Sequence, residues 1–215
     1  MTDDTQQRTD ESALSTSDFG VDVDVLREEV RHHYAQVAVA PTDEYHFHTG
    51  RRAALQVGYD PALLDDLPDQ ALEAFAGIAN PFHFGLPAEG EKVVDIGSGG
   101  GTDAMIAAKA VGDGGRVVGV DMTTEMLELA RRTAAQSGIS NVEFRHGLAE
   151  ELPIEDGWAD LVISNGVLNL VPDKVGAYRE VMRILRRGGR IQIGDICVDK
   201  PVPESAKRDI DLWTG

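Results

Sequence analysis

The chain predicts an α/β domain built on a doubly wound parallel sheet, and three observations carry that expectation. From residue 92 onward, apolar strand-like runs alternate with helix-like runs, the pattern of βα units laid side by side. The first of these strands, Val93-Val94-Asp95-Ile96, runs straight into Gly97-Ser98-Gly99-Gly100-Gly101, a turn with glycines on alternate positions. Twenty residues past Gly101, the second strand ends in Asp121, an acid suited to accept both hydroxyls of a ribose. Together these features imply a nucleoside-bearing cofactor lying across two adjacent strand ends.

Each element follows from local pattern. Residues 1–20 are polar, acidic and rich in Ser and Thr with no period, so a disordered tail is expected. Val23, Leu26, Val30, Tyr34 and Val37 recur at three- and four-residue steps and predict an amphipathic helix over 23–39. A second helical stretch is expected from about Pro61 to Ile78, broken at Asn80-Pro81. These segments make a helical cap over 21–88, ahead of a cofactor domain at 89–215. In that domain strands are expected at 92–96, 116–121, 142–145, 159–164 and 190–196, with helices at 102–111, 123–137 and 173–186. Thr123 or Thr124 is expected to cap the second of these helices and Gly138 to end it, while Gly188-Gly189 closes the third.

Composition narrows the class. Hydrophobic residues make up 42% of 215, enough for one domain with a buried core. No apolar run approaches the ~20 residues that span a bilayer, and the acidic N-terminus is unlike a signal peptide, so a soluble, cytoplasmic protein is expected. Cys197 is the single cysteine, which excludes an internal disulfide, fits a reducing compartment and predicts a small buried core residue. The formal charge is −17, a surface that repels nucleic acid and anionic membrane. Arg183, Arg186, Arg187 and Arg190 interrupt it, at a helix end where cations meet the helix dipole. Five lysines against fifteen arginines, with the excess of acids, also resemble proteins of salt-loving organisms.

The turn identifies the cofactor. A dinucleotide fingerprint, G-x-G-x-x-G/A, needs a small third residue, and Thr102 stands there instead. Asp95, two residues before the first glycine, also suits a cation better than a pyrophosphate. This arrangement resembles the first motif of class I S-adenosylmethionine-dependent methyltransferases, which have a Rossmann-like fold. The resemblance implies that Asp95, Gly97, Ser98 and Gly99 cradle the methionine end of S-adenosyl-L-methionine, with Asp103 helping one turn along. Asp121 takes the ribose hydroxyls. Met122, with Leu148 and Ala149 in the loop Gly147 to Pro153, takes the adenine. Asn165 at the end of the fourth strand completes the cofactor set, and Asn169 is either a neighbour or a tie for its loop.

Ile163-Ser164-Asn165 with Pro172-Asp173-Lys174, Gly119-Val120-Asp121-Met122-Thr123 and Leu212-Trp213 resemble the arsenite methyltransferases over roughly residues 55 to 215. The cofactor motifs alone also resemble the quinone-biosynthesis methyltransferases. The arsenite enzymes hold trivalent arsenic with thiolates, a soft metalloid on soft ligands. Where the family has cysteine, this chain has Ile78 and Gly166, and Cys197 matches neither place. The resemblance therefore carries over the cofactor site and not the arsenic site, and implies a different small-molecule acceptor.

His32, His33, His46 and His48 complete no metal-ligand spacing, so no metal is expected. His46, His48 or Tyr34 is a candidate general base, and the sequence selects none of them. The fold implied by the resemblance carries two further strands after the fifth, whereas this chain ends at Gly215, within a helix expected from about Pro203. An uncovered edge at 190–196, marginal stability and a possible homodimer through that edge are the expectations. The competing readings are a cofactor-binding pseudoenzyme or interaction module without turnover and, with less support, an oxidoreductase.

Overall fold

The computed structural model describes residues 22–41, 45, 48–197 and 199. Expectations for the tail 1–20, for His46, and for the helix near Pro203 with Leu212-Trp213 lie outside the described residues.

Five parallel strands, β1 (Lys92–Ile96), β2 (Arg116–Asp121), β3 (Val142–His146), β4 (Ala159–Asn165) and β5 (Leu185–Gly194), form one sheet in the order β3-β2-β1-β4-β5. The order reverses between β1 and β4, and the crevice at their carboxyl ends is where such sheets bind ligands. Alternation splits the strands between two cores. Val93, Val117, Leu161 and Ile163 face helices α5 (Thr102–Val111) and α6 (Thr124–Gln136). Val94, Ile96, Val118, Val120 and Val162 face helix α7 (Lys174–Ile184) through Val181 and Ile184. Every one of these strand residues is at most 3% exposed, as buried parallel strands require.

The N-terminal segment begins with α1 (Val23–Val39), capped by Asp22, whose side chain accepts the N–H groups of Asp24 and Val25. The single helical stretch expected from 61 to 78 is instead two short helices, α3 (Pro61–Asp65) and α4 (Asp69–Glu73), preceded by α2 (Gly50–Gln56). Pro68 causes the break, since it cannot continue α3 and serves as the N-cap of α4. From Phe75 to Asn80 the chain is not helical, and a short 3-10 turn follows at Pro81–Phe84. Leu64, Leu72 and Phe75 pack in the same core as Val93 and Leu161, so this segment and the sheet share one interior.

The region around β5 differs from expectation. Helix α7 ends at Ile184 and β5 starts at Leu185, five residues early, because Leu185 already pairs with Ala159. The register then shifts so that Leu161 faces Arg190, and Gly188-Gly189 sit inside this irregularity of the strand rather than closing the helix. Beyond β5, Cys197 is exposed, which corrects the expected core placement: the strand stops at Gly194 and the chain leaves the packed interior. Ile191 and Ile196 are also exposed, at 46% and 57%. Three of the four arginines of this region form ion pairs: Arg183 with Glu180 and Asp156, Arg186 with Asp160, and Arg190 with Glu91.

Candidate active site

The carboxyl ends of β1, β2, β3 and β4 surround a cavity of about 1060 Å³ counted to its open mouth, roofed by α1 through Arg27, Val30 and Tyr34. All ten residues expected at the cofactor line it: Asp95, Gly97, Ser98, Gly99, Asp103, Asp121, Met122, Leu148, Ala149 and Asn165.

The floor is glycine backbone. Gly97 has φ +69°, and a Cβ there would stand 2.2 Å from Val167, so only glycine lets the 166–172 loop lie on the turn. Gly99 has φ +50° and no atom within 4 Å of where its Cβ would be, leaving its main chain open to the cavity. Thr102, which broke the dinucleotide pattern, is buried and donates its hydroxyl to Ala71 O at 2.9 Å. A glycine or alanine would lose that tie between α4 and α5.

Three carboxylates meet above this floor with unequal support. Asp121 accepts from Gly99 N through Oδ2 and from Thr123 N through Oδ1, both at 2.8 Å. Thr123 is the N-cap of α6 by position but makes no side-chain cap bond, correcting the expected role: its groups serve Asp121. Asp95 is 2% exposed and, among the described residues, neither its Oδ2 nor the buried Ser98 Oγ has a partner. Burial, with the charges of Asp103 and Asp121, pushes the Asp95 carboxyl well above the usual range. Asp103 is pushed up to about 6 by burial and is restrained by two donors, Tyr59 and Asn165.

Asn165 does more structural work than its sequence position suggests. Its Oδ1 accepts the N–H groups of Ile78 and Ala79, and its Nδ2 donates to Ala79 O at 2.8 Å. Asn169 is a tie for its loop: its backbone N–H donates to Asp195, and its amide nitrogen, turned to suit its neighbours, donates to Asp195 and Gly166 O. Of the candidate bases, Tyr34 lines the cavity and His48 is exposed outside it. Burial and the charges of Asp121 and Asp195 push the Tyr34 phenol up to about 12, so at neutral pH it is a hydrogen-bond donor and not a base. Among the described residues, no three His, Cys, Asp or Glu stand together as metal ligands, and no helix is long and apolar enough to cross a membrane.

Two supports escaped sequence reasoning. Arg183 donates to Leu152 O and Ile154 O, and Glu180 accepts from Leu152 N, which pins the loop behind Leu148 and Ala149. Arg27 of α1 reaches Glu150 at 3.1 Å. Sequence separations of 28 to 123 residues leave no local signal for either.

A doubly wound sheet with a glycine turn and a carboxylate at each of two adjacent strand ends defines a nucleoside-cofactor domain. The chain belongs to the methyltransferase domain family, whose profile matches residues 87–214. It is 42% identical over 160 residues to the arsenite methyltransferase of Halobacterium salinarum, covering 74% of this chain and 41% of that protein. It is 33% identical over 126 residues to the ubiquinone/menaquinone biosynthesis C-methyltransferase of Vibrio parahaemolyticus, covering 58% of this chain and 48% of that one. The solved arsenic(III) S-adenosylmethionine methyltransferase of Chlamydomonas reinhardtii superposes with a TM-score of 0.62 at 42% identity, over 68% of this chain and 51% of that chain. The chain thus spans about half or less of the length of these relatives.

Proposed function

We propose that this chain transfers the methyl group of S-adenosylmethionine to a small-molecule acceptor. The observation that carries the reading is Asp95 Oδ2, a buried carboxylate oxygen with no partner beside a floor of open glycine backbone. A buried charge without a partner is costly, and the ammonium group of the cofactor is the complement this site needs.

When bound, S-adenosylmethionine supplies an electrophilic methyl group on a sulfonium. Asp95 holds the ammonium with Gly97, Ser98 and Gly99 around the methionine end, and Asp103 adds negative charge one turn along. Asp121 accepts from the ribose hydroxyls with the lone pairs that Gly99 and Thr123 leave free. Met122, Leu148 and Ala149 enclose the adenine, and Asn165 closes the wall at the reacting end. The 75–79 and 166–172 segments exclude water and orient the acceptor lone pair, so rate comes mainly from positioning. No residue is assigned as base, and Tyr34 holds its proton.

The acceptor in this reading is not arsenite. Ile78 and Gly166, which stand where the arsenite family has cysteines, face each other, with Ile78 Cγ1 3.0 Å from where a Gly166 Cβ would be. Isoleucine and glycine offer no soft ligand. Net charge −17 supports a site that works without nucleic acid or membrane partners, and one cysteine supports a cytoplasmic setting. The exposed Ile191 on β5 supports a homodimer through that edge.

Calorimetry with S-adenosylhomocysteine tests the cofactor. Saturable binding that Asp121→Ala weakens supports it; tight NADH binding without any response to S-adenosylhomocysteine overturns it. For the acceptor, methylation is assayed with arsenite plus excess thiol and with demethylquinones. Robust methylarsenic formation would show that thiolates at these two positions are dispensable, and quinone methylation would favour a C-methyltransferase. Cofactor binding without turnover on any acceptor favours a pseudoenzyme.

A further inference from the structure

Tyr59 belongs to none of the cofactor motifs, yet it is 3% exposed and its hydroxyl donates to Asp103 Oδ1 at 2.5 Å. Its ring is fixed edge-on against Phe75 and Phe82, with centroids 5.3 and 6.4 Å away. Asn165 Nδ2 approaches the same hydroxyl and Asp103 Oδ2, each at 3.1 Å, while Asn165 Oδ1 accepts from Ile78 and Ala79. Gly77 makes room for this amide, since a Cβ there would stand 2.2 Å from Asn165 Nδ2. One continuous network therefore runs from the first turn of α5 to the 77–79 wall.

We propose that Tyr59 is a positioning residue of the transfer site: its phenol supplies the hydrogen bond on which the Asp103 carboxylate depends, and through Asn165 it fixes that carboxylate relative to the 77–79 wall. The inference rests on the cofactor reading above. It follows from what faces Asp103. Tyr59 from the loop after α2 and Asn165 from β4 stabilise its charge, whereas Asp95 from β1 and Asp121 from β2 add negative charge to the same cavity. Arg27 is the one cation among the described lining residues, and it is committed to Glu150. With no cation assigned to it, Asp103 relies on two neutral donors, and a short O–H···O⁻ bond is the stronger kind. Removing the phenol leaves one donor and raises the pH at which Asp103 loses its proton.

Tyr59→Phe keeps the ring packing and deletes only the hydroxyl. The test is S-adenosylhomocysteine affinity by calorimetry from pH 5.5 to 8.5, on the parent and the variant. At pH 8.5 the variant is expected to match the parent, near pH 6.5 to bind about threefold weaker and at pH 5.5 close to tenfold weaker, an acidic limb displaced upward by roughly one unit. A purely structural role would lower affinity by one factor at every pH. Gly77→Ala gives a second measurement that leaves Tyr59 intact: by displacing the Asn165 amide it should move the same limb in the same direction, and it decides the matter if Tyr59→Phe does not fold. A uniform loss, or none, in the folded variant overturns the inference alone. Absence of parent binding at every pH overturns the cofactor reading on which it rests.

Discussion

Asp121 and Asp95 end neighbouring parallel strands and face one cavity, but the protein supports them differently. Asp121 receives two backbone N–H groups, from the glycine turn and from the start of α6. Asp95 keeps one oxygen unpartnered in the interior. The first carboxylate holds the site together before any ligand arrives. The second is a cost to the folded chain that, in the proposed reading, the cofactor's ammonium group removes, so binding strength at this position would be stored as instability.

Asp95→Asn breaks the comparison most sharply. S-adenosylhomocysteine affinity should fall about 100-fold, on the order of 3 kcal/mol for a lost charge-assisted contact. The melting temperature of the free chain should rise at pH values where Asp95 is ionised, because the cost of charging a buried carboxyl has gone. Asp121→Ala should weaken binding as well but lower the melting temperature, since orphaning the Gly99 and Thr123 donors costs about 1–3 kcal/mol. If calorimetry and thermal melts give the two variants the same sign of stability change, the contrast is wrong. Gly97→Ala, between the two acids, combines a positive φ with a clash on Val167 and should cost about 1–3 kcal/mol.

The pH dependence adds a second contrast, between the buried carboxyls of the cavity and the arginine-paired glutamates of the surface. Asp95, Asp103 and, despite its two backbone donors, Asp121 are raised in the folded chain by burial, so their contribution to stability is complete below the unfolded carboxylate value and is lost as pH rises through the folded values, about 6 for Asp103. Glu91, Glu143 and Glu180 are lowered by arginines, so their contribution is lost only in stronger acid and is complete above about pH 5. The free chain should therefore lose thermal stability between about pH 5 and 7, and saturating S-adenosylhomocysteine should flatten or reverse that slope. A scanning-fluorimetry series with and without ligand reads both. The smallest effect is expected from Arg27→Ala: the pair with Glu150 is partly exposed, worth at most ~1 kcal/mol, with about threefold weaker binding.

The parts legible in sequence are those fixed by neighbours in the chain. The glycine turn, Asp95 and Asp121 announce themselves because strand, turn and helix lie within one βα unit, and the β1, β2 and α5 bounds follow from the same short-range pattern. The early start of β5 was not legible, since Leu185 is claimed by Ala159 across the sheet and not by its own helix. Nor was the breadth of Asn165's role, because its partners Ile78 and Ala79 lie 87 and 86 residues away. Cys197 misled for a simpler reason: burial was inferred from residue type, and the sheet had already ended.

The shared interior has a mechanical consequence. Leu64, Leu72 and Phe75 are welded into the core beneath the sheet, whereas Leu26, Val30 and Val37 of α1 are buried outside that cluster. Helices α2 to α4 therefore cannot swing away without opening the whole domain. Helix α1 is held instead by its packing on α6 and, among the described residues, by the Arg27–Glu150 ion pair. The roof of the cavity is thus tied to the sheet through one seventeen-residue helix, less deeply than the wall that α2 to α4 build.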